Sequence, residues 1–186
     1  MRLSEQKGFR MKRKLTEIGL IILFYLLQVT LGRSIRIGGI MPNFLIILPI
    51  LFGFFNNRQE GMFTGFFAGL IYDLFFPGLF GFTSLIYVIV GYISGVFGDI
   101  YEQHSVVVLI IITAISTFTY EFLIYVGNFL LHNRLFVPFY VGRIILPEVV
   151  YTILIMLALY KPLQLLNRVV ESKKVKKARE LDETVS

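Results

Sequence analysis

Four ionisable side chains stand inside or beside long apolar runs: Asp73, Glu121, Arg143 and Glu148. A bare charge deep in a bilayer costs at least ~2.5 kcal/mol, so such side chains face neighbouring helices, one another or a polar cavity. At a helical rise of ~1.5 Å per residue, Asp73 lies ~6 Å below the nearest turn, Glu121 ~15 Å below the end of its run and Glu148 ~12 Å below the start of its own. The three acids therefore fall in the outer half of the layer with Arg143 above them, and each comes from a different run. Three uses fit that convergence. The acids pair with Arg143 or with hydroxyls such as Thr117 and hold helices in register; or they form a docking surface for a partner; or they line a pocket for a small ligand or an ion. A proton relay would spread its charges through both halves of the membrane, and these do not.

Catalytic chemistry has less to work with. His104 and His132 fall at opposite membrane faces, so they form neither a dyad nor a metal site. The chain has no cysteine, which removes disulfides, thiol nucleophiles and thiolate metal sites. No phosphate-cradling loop and no nucleophile elbow appears, and no Ser-His or paired-Asp device for intramembrane proteolysis stands at a useful depth. The residues predict a non-enzyme without cofactor or metal.

The elements that must position these charges are membrane spans. Hydrophobic residues make up 56% of the chain and the mean hydropathy is +0.74, more apolar surface than a soluble domain of this size could cover. The runs are continuous rather than alternating, which excludes a β-barrel. Six spans are predicted, over Leu15 to Leu31, Phe44 to Phe55, Gly61 to Phe76, Leu79 to Phe97, Ser105 to Leu131 and Tyr140 to Tyr160. The fold class is an all-α integral membrane protein, a six-helix transmembrane bundle. The second run is shorter than the ~20 residues a crossing needs, and it extends back through Ile40, tilts, or breaks at Pro49. Pro147 predicts a kink in the sixth.

Charge fixes the orientation. Of 18 Lys and Arg, 13 lie before residue 15 or after residue 160. The positive-inside rule places both tails in the cytoplasm and so requires an even number of spans. The chain divides into a basic segment at 1–14, the membrane domain at 15–160 and a basic tail at 161–186. The first helix has no convincing cleavage site and is expected to stay attached. Between spans, Arg33, Arg36 and Gly38-Gly39 form an outside loop, Asn56 to Glu60 an inside turn, and Pro77-Gly78 a tight outside turn. Gly98 to His104 is inside, although it carries Asp99 and Glu102 and no Lys or Arg, and His132, Asn133 and Arg134 close the fifth span. The tail begins amphipathically with Leu163, Leu166 and Val170 and turns basic at Lys173-Lys174-Val175-Lys176-Lys177. It is a solvated helix end that fixes topology, or it lies on the anionic lipids of the inner leaflet or touches a cytoplasmic partner. Membrane orientation accounts for the basic tails, and no nucleic-acid partner is expected.

The third span carries the strongest packing signal. Gly61, Gly65, Gly69 and Asp73 recur at steps of four, each advancing about 40° around a helix, so they form one slowly drifting seam. Phe63, Phe66, Phe67, Leu70 and Ile71 fill the rest of the surface. Glycines in such a row let two membrane helices meet backbone to backbone. The fourth span has small residues of its own, Gly91 and Gly95 with Ser84 and Ser94, and is the nearest candidate for the opposing face. The seam is expected to serve as a helix-packing or partner interface.

Pro42-Asn43 opening an apolar run, a short polar turn, Gly61-x3-Gly65-x3-Gly69-x3-Asp73, Gly78 and Gly81, then Gly91-Tyr92-x2-Gly95: this succession resembles the MreD family of bacterial rod-shape-determining membrane proteins. Its specific part is residues 42 to 95, with Pro42, Asn43 and Asp73 as the family motif; many members have Asp where this chain has Asn43. The resemblance implies a plasma-membrane component of the cell-elongation machinery. It implies association with an MreC-like bitopic protein and, through it, with MreB filaments, the glycosyltransferase RodA and its transpeptidase partner. In six-helix architecture such chains also resemble the substrate-binding S-components of energy-coupling-factor transporters. Those hold a small molecule in the outer half of the bundle, which makes a vitamin-binding subunit the alternative expectation.

Overall fold

The run FLIILPILFGFF is apolar on every side, and a helix of that kind belongs inside a bundle rather than on its surface. A computed structural model gives the protein's architecture, and it puts the run there. Residues 2–35, 39–76, 80–101, 105–132 and 137–183 are described, with side chains from 14 to 166 apart from 33–34 and 128–138. The expected turn at Pro77-Gly78, Arg36 and Gly38, the pair Glu102 and His104, and Asn133-Arg134 lie outside the described residues, as do the side chains of Arg33, His132, 1–13 and 167–186.

All regular elements among the described residues are helical. They are α1 (Arg2–Ser34), α2 (Phe44–Phe55), α3 (Arg58–Phe75), α4 (Phe82–Ile100), α5 (Val106–His132), α6 (Val137–Tyr140) and α7 (Leu146–Glu183), with a π-helical turn over Val141–Ile145 joining the last two. Four stretches are long and apolar enough to cross a membrane: Lys14–Gly32, Phe82–Ile100, Val106–Gly127 and Val141–Leu166. Large apolar side chains such as Ile22, Leu26, Leu85, Ile111, Ile115, Val150 and Leu154 face outward along them. Lipid solvates a surface of this kind; water does not. The chain is a membrane protein.

Eleven of the twelve residues of α2 are buried, which makes this short helix the centre of the bundle. It runs through Pro49 as one helix, although the ring has no N–H to donate to the helix ladder. α3 and α4 pack on it and on each other, and α1, α5 and α7 complete the wall.

Three boundaries differ from the sequence expectation, each for a local reason. α3 starts at Arg58 rather than Gly61, because the Asn57 side chain accepts from the Glu60 amide at 3.0 Å and turns Arg58, Gln59 and Glu60 into the first helical turn. α4 starts at Phe82 rather than Leu79, because Gly81 holds a left-handed conformation (φ 85°) that ends the turn there. α7 runs past Tyr160 without a break, and Leu163 is still buried, so the helix continues beyond the expected end of the sixth span. Asp99, expected in the loop after the fourth span, lies in the last turn of α4 and meets Arg58 at 2.9 Å. Both side chains are about half exposed, so the pair adds little stability.

Candidate functional site

The seam of α3 lies against α4. A Cβ added to Gly65 would stand 2.6 Å from the carbonyl carbon of Tyr87 and 2.9 Å from the nitrogen of Val88, both backbone atoms that cannot swing away. Gly61 and Gly91 are reciprocal, each facing the other's carbonyl oxygen, with the Cα of Gly53 from α2 closing the junction. Gly69 meets the backbone of Thr83 and Ser84, and Gly95 that of Arg58. Three helices therefore approach at backbone distance, where dispersion and Cα–H···O contacts replace the hydrophobic effect that lipid does not supply. Gly61, Gly65, Gly69, Gly91 and Gly95 are all buried under the chain's own helices. Gly53 and Gly98 belong to the same packing and were not singled out from sequence. The sign was the run Gly91, Gly95, Gly98, whose spacing turns one small face toward α3 and another toward α2.

Asp73 ends the seam and does not join the other acids. Its carboxylate accepts four hydrogen bonds from the start of α4: from the amides of Gly81 at 3.0 Å, Thr83 at 3.2 Å and Ser84 at 3.0 Å, and from the Ser84 hydroxyl at 3.0 Å. The N-cap residue Gly81 has no side chain to cap with. A carboxylate from the preceding helix does that work, satisfying orphan N–H groups and meeting the positive end of the helix dipole.

Asn43 organises the start of α2. Its Oδ1 accepts from the Ile46 amide at 3.2 Å and from the Tyr87 hydroxyl at 2.9 Å, and its own amide donates to Thr152 Oγ1 at 3.1 Å. The next amide, Phe44, donates to Gln28 Oε1 at 2.7 Å. Asn43, Gln28, Tyr87 and Thr152 are buried, and they tie α1, α2, α4 and α7 at one point. Helix ends buried inside a bundle need such partners for their unpaired N–H groups. Both bonds to the side chain use an acceptor oxygen, so Asp at this position would make the same contacts. Tyr87 and Thr152 were also missed from sequence; each is a polar group in an otherwise apolar window.

Above Asn43, at the end of the bundle where α1 finishes and α2 begins, lies a cavity of about 430 Å³. Gln28, Asn43, Tyr72, Glu121, Arg143 and Glu148 supply its polar wall, and Met41, Phe139 and Ile144 part of its apolar wall. The Glu121 and Glu148 carboxyls lie within hydrogen-bonding reach of one another. The expected pairing of the acids with Arg143 is not formed. Arg143 is exposed at the rim, its guanidinium 5.7 Å from the centre of the Phe139 ring, and Thr117 Oγ1 has no hydrogen-bond partner. The π-helical turn explains the geometry. Pro147 has no N–H to offer the Arg143 carbonyl, and the helix widens just before it, with the Leu146 amide bonding back to Val141. Where a kink is expected the helix has this π-helical turn, with Arg143 in it, exposed, and Glu148 just after it, partly buried. Of the four predicted charges, Glu121 is buried, Glu148 partly buried, Arg143 exposed, and Asp73 elsewhere.

A family model described as rod shape-determining protein MreD matches residues 11–170. No curated protein and no solved structure matches the chain.

Proposed function

The chain belongs to the MreD family of rod shape-determining proteins, and from that premise we propose that it is a non-catalytic membrane scaffold of the bacterial cell-elongation machinery. The observation that best supports this reading is how its polar residues are used. Asp73 and Asn43, the ones most able to do chemistry near the seam, are committed to capping α4 and α2. Helix starts held in this way build a stiff frame, and a stiff frame is what a scaffold offers its partners.

In this reading α1, α2, α3, α4, α5 and α7 cross the bacterial plasma membrane six times. Both basic ends are cytoplasmic, 1–14 and 161–186 flank the membrane domain, and the tails rest on anionic lipids. The partner is an MreC-like bitopic protein, which links the chain to MreB filaments and to RodA with its transpeptidase. The glycine seam is filled by α4, so a partner's helix would dock on the outward faces instead.

Depletion in the native cell tests the proposal. Rods should widen and round as the protein is lost, and re-expression should restore them. Asp73→Asn should restore them only partly, because an amide cannot accept all four of the bonds that the carboxylate receives. An unchanged outline on depletion would contradict the scaffold reading. The outer cavity favours one second reading, a vitamin-binding S-component of an energy-coupling-factor transporter; depletion would then abolish uptake of a vitamin and leave the outline intact.

A further inference from the structure

We propose that the cavity at the start of α2 binds a small zwitterion, one whose primary ammonium lies a few bonds from an anionic group. This goes beyond the scaffold reading and does not rest on it. Voids left by imperfect packing are apolar and stay dry, whereas this one has amides, a phenol and three ionisable groups converging from α1, the start of α2, α3, α5, the π-helical turn and α7. Its volume, about 430 Å³, suits a small ligand.

The charges select the ligand's chemistry. Glu121 is only 8% exposed, and another carboxyl, Glu148, lines the same cavity and interacts with it. Neither forms an ion pair with a Lys, Arg or His among the described residues. Two carboxylates held together away from water keep both charges only with a cation between them. A primary ammonium is compact and brings three donors, two for the paired acids and a third for a further wall acceptor such as Tyr72. A quaternary ammonium has no donor to give. At the rim, Arg143 presents an exposed guanidinium, the fork that carboxylate and phosphate groups fit. Acids inside and a guanidinium at the mouth set the ligand's direction, ammonium first. Phosphoethanolamine has this chemistry, either as a free molecule or as the headgroup of a membrane lipid.

The full chain, purified in detergent, tests the assignment by thermal melting and equilibrium binding with O-phosphoethanolamine, using O-phosphocholine as the comparator without donors. Nanodiscs of phosphatidylethanolamine or phosphatidylcholine, read by native mass spectrometry, test the lipid source. The expected result is that the ethanolamine form binds at least tenfold more tightly than the choline form, and that Glu121→Gln and Glu148→Gln remove the difference. Binding of the free compound assigns a soluble ligand; selective retention of phosphatidylethanolamine alone assigns the headgroup. No binding of either form, equal binding of both, or full binding by the two variants would overturn the proposal. The comparison of the two compounds on the unaltered chain needs no variant to fold.

Discussion

Gly65→Leu is expected to remove the protein from the membrane fraction. The first atom of any side chain at this position meets the Tyr87 carbonyl carbon at 2.6 Å and the Val88 nitrogen at 2.9 Å. Relief requires α3 and α4 to part, which opens the Gly61–Gly91–Gly53 junction a turn away. Overpacking of well-fitted interiors costs about 1–3 kcal/mol when side chains can adjust, and here only backbone is available, so the cost should exceed about 3 kcal/mol. Gly65→Ala should already lower the melting temperature in detergent. Gly19→Ala is the matched control, since a Cβ there meets nothing within 4 Å. Equal melting of the Gly65 and Gly19 variants would show that the two helices separate freely, and the packing argument would fail.

Asn43→Ala should be nearly as damaging through a different term. It strips the cap from the Ile46 amide and leaves the fully buried Tyr87 hydroxyl without its acceptor. A lost cap costs about 1 kcal/mol and an orphaned buried hydroxyl about 1–3 kcal/mol, for a total near ~3 kcal/mol. Asn43→Asp keeps both acceptor bonds and should melt close to the unaltered protein. If Asp behaved like Ala, the amide nitrogen of Asn43 would be the group that matters, and the cap would not be the explanation.

These two sites mark how far the sequence could be read. Glycines at steps of four in an apolar run have one common physical use, so the seam and its hairpin neighbour were legible before any coordinates. The role of Phe44–Phe55 was not. A twelve-residue apolar run reads as a truncated span, and only its neighbours show that it is covered on every side. Asp73 was legible as an acid facing another helix. Its partners were not, because they are backbone amides presented by Gly81 in a left-handed turn, and backbone groups leave no trace in a list of residues. Depth along the spans put Asp73, Glu121 and Glu148 at one level with Arg143 above; Glu121, Arg143 and Glu148 do line one cavity, and Asp73 does not. Their exposures did not follow from depth: Arg143 lies in a π-helical turn before Pro147 and is exposed, while Glu121 is buried, and a list of residues shows no such turn. The Asn57-x-x-Glu60 cap was present as a pattern and would have moved the start of α3 three residues earlier.

Crosslinking in intact membranes, followed by gentle extraction and mass spectrometry of the proteins attached to this chain, tests the scaffold reading most directly. The account predicts an MreC-like bitopic protein as the principal partner, with wall-synthesis enzymes behind it. Recovery of an ATPase module with a coupling membrane protein, and no MreC-like protein, would contradict it and make the chain a transporter subunit.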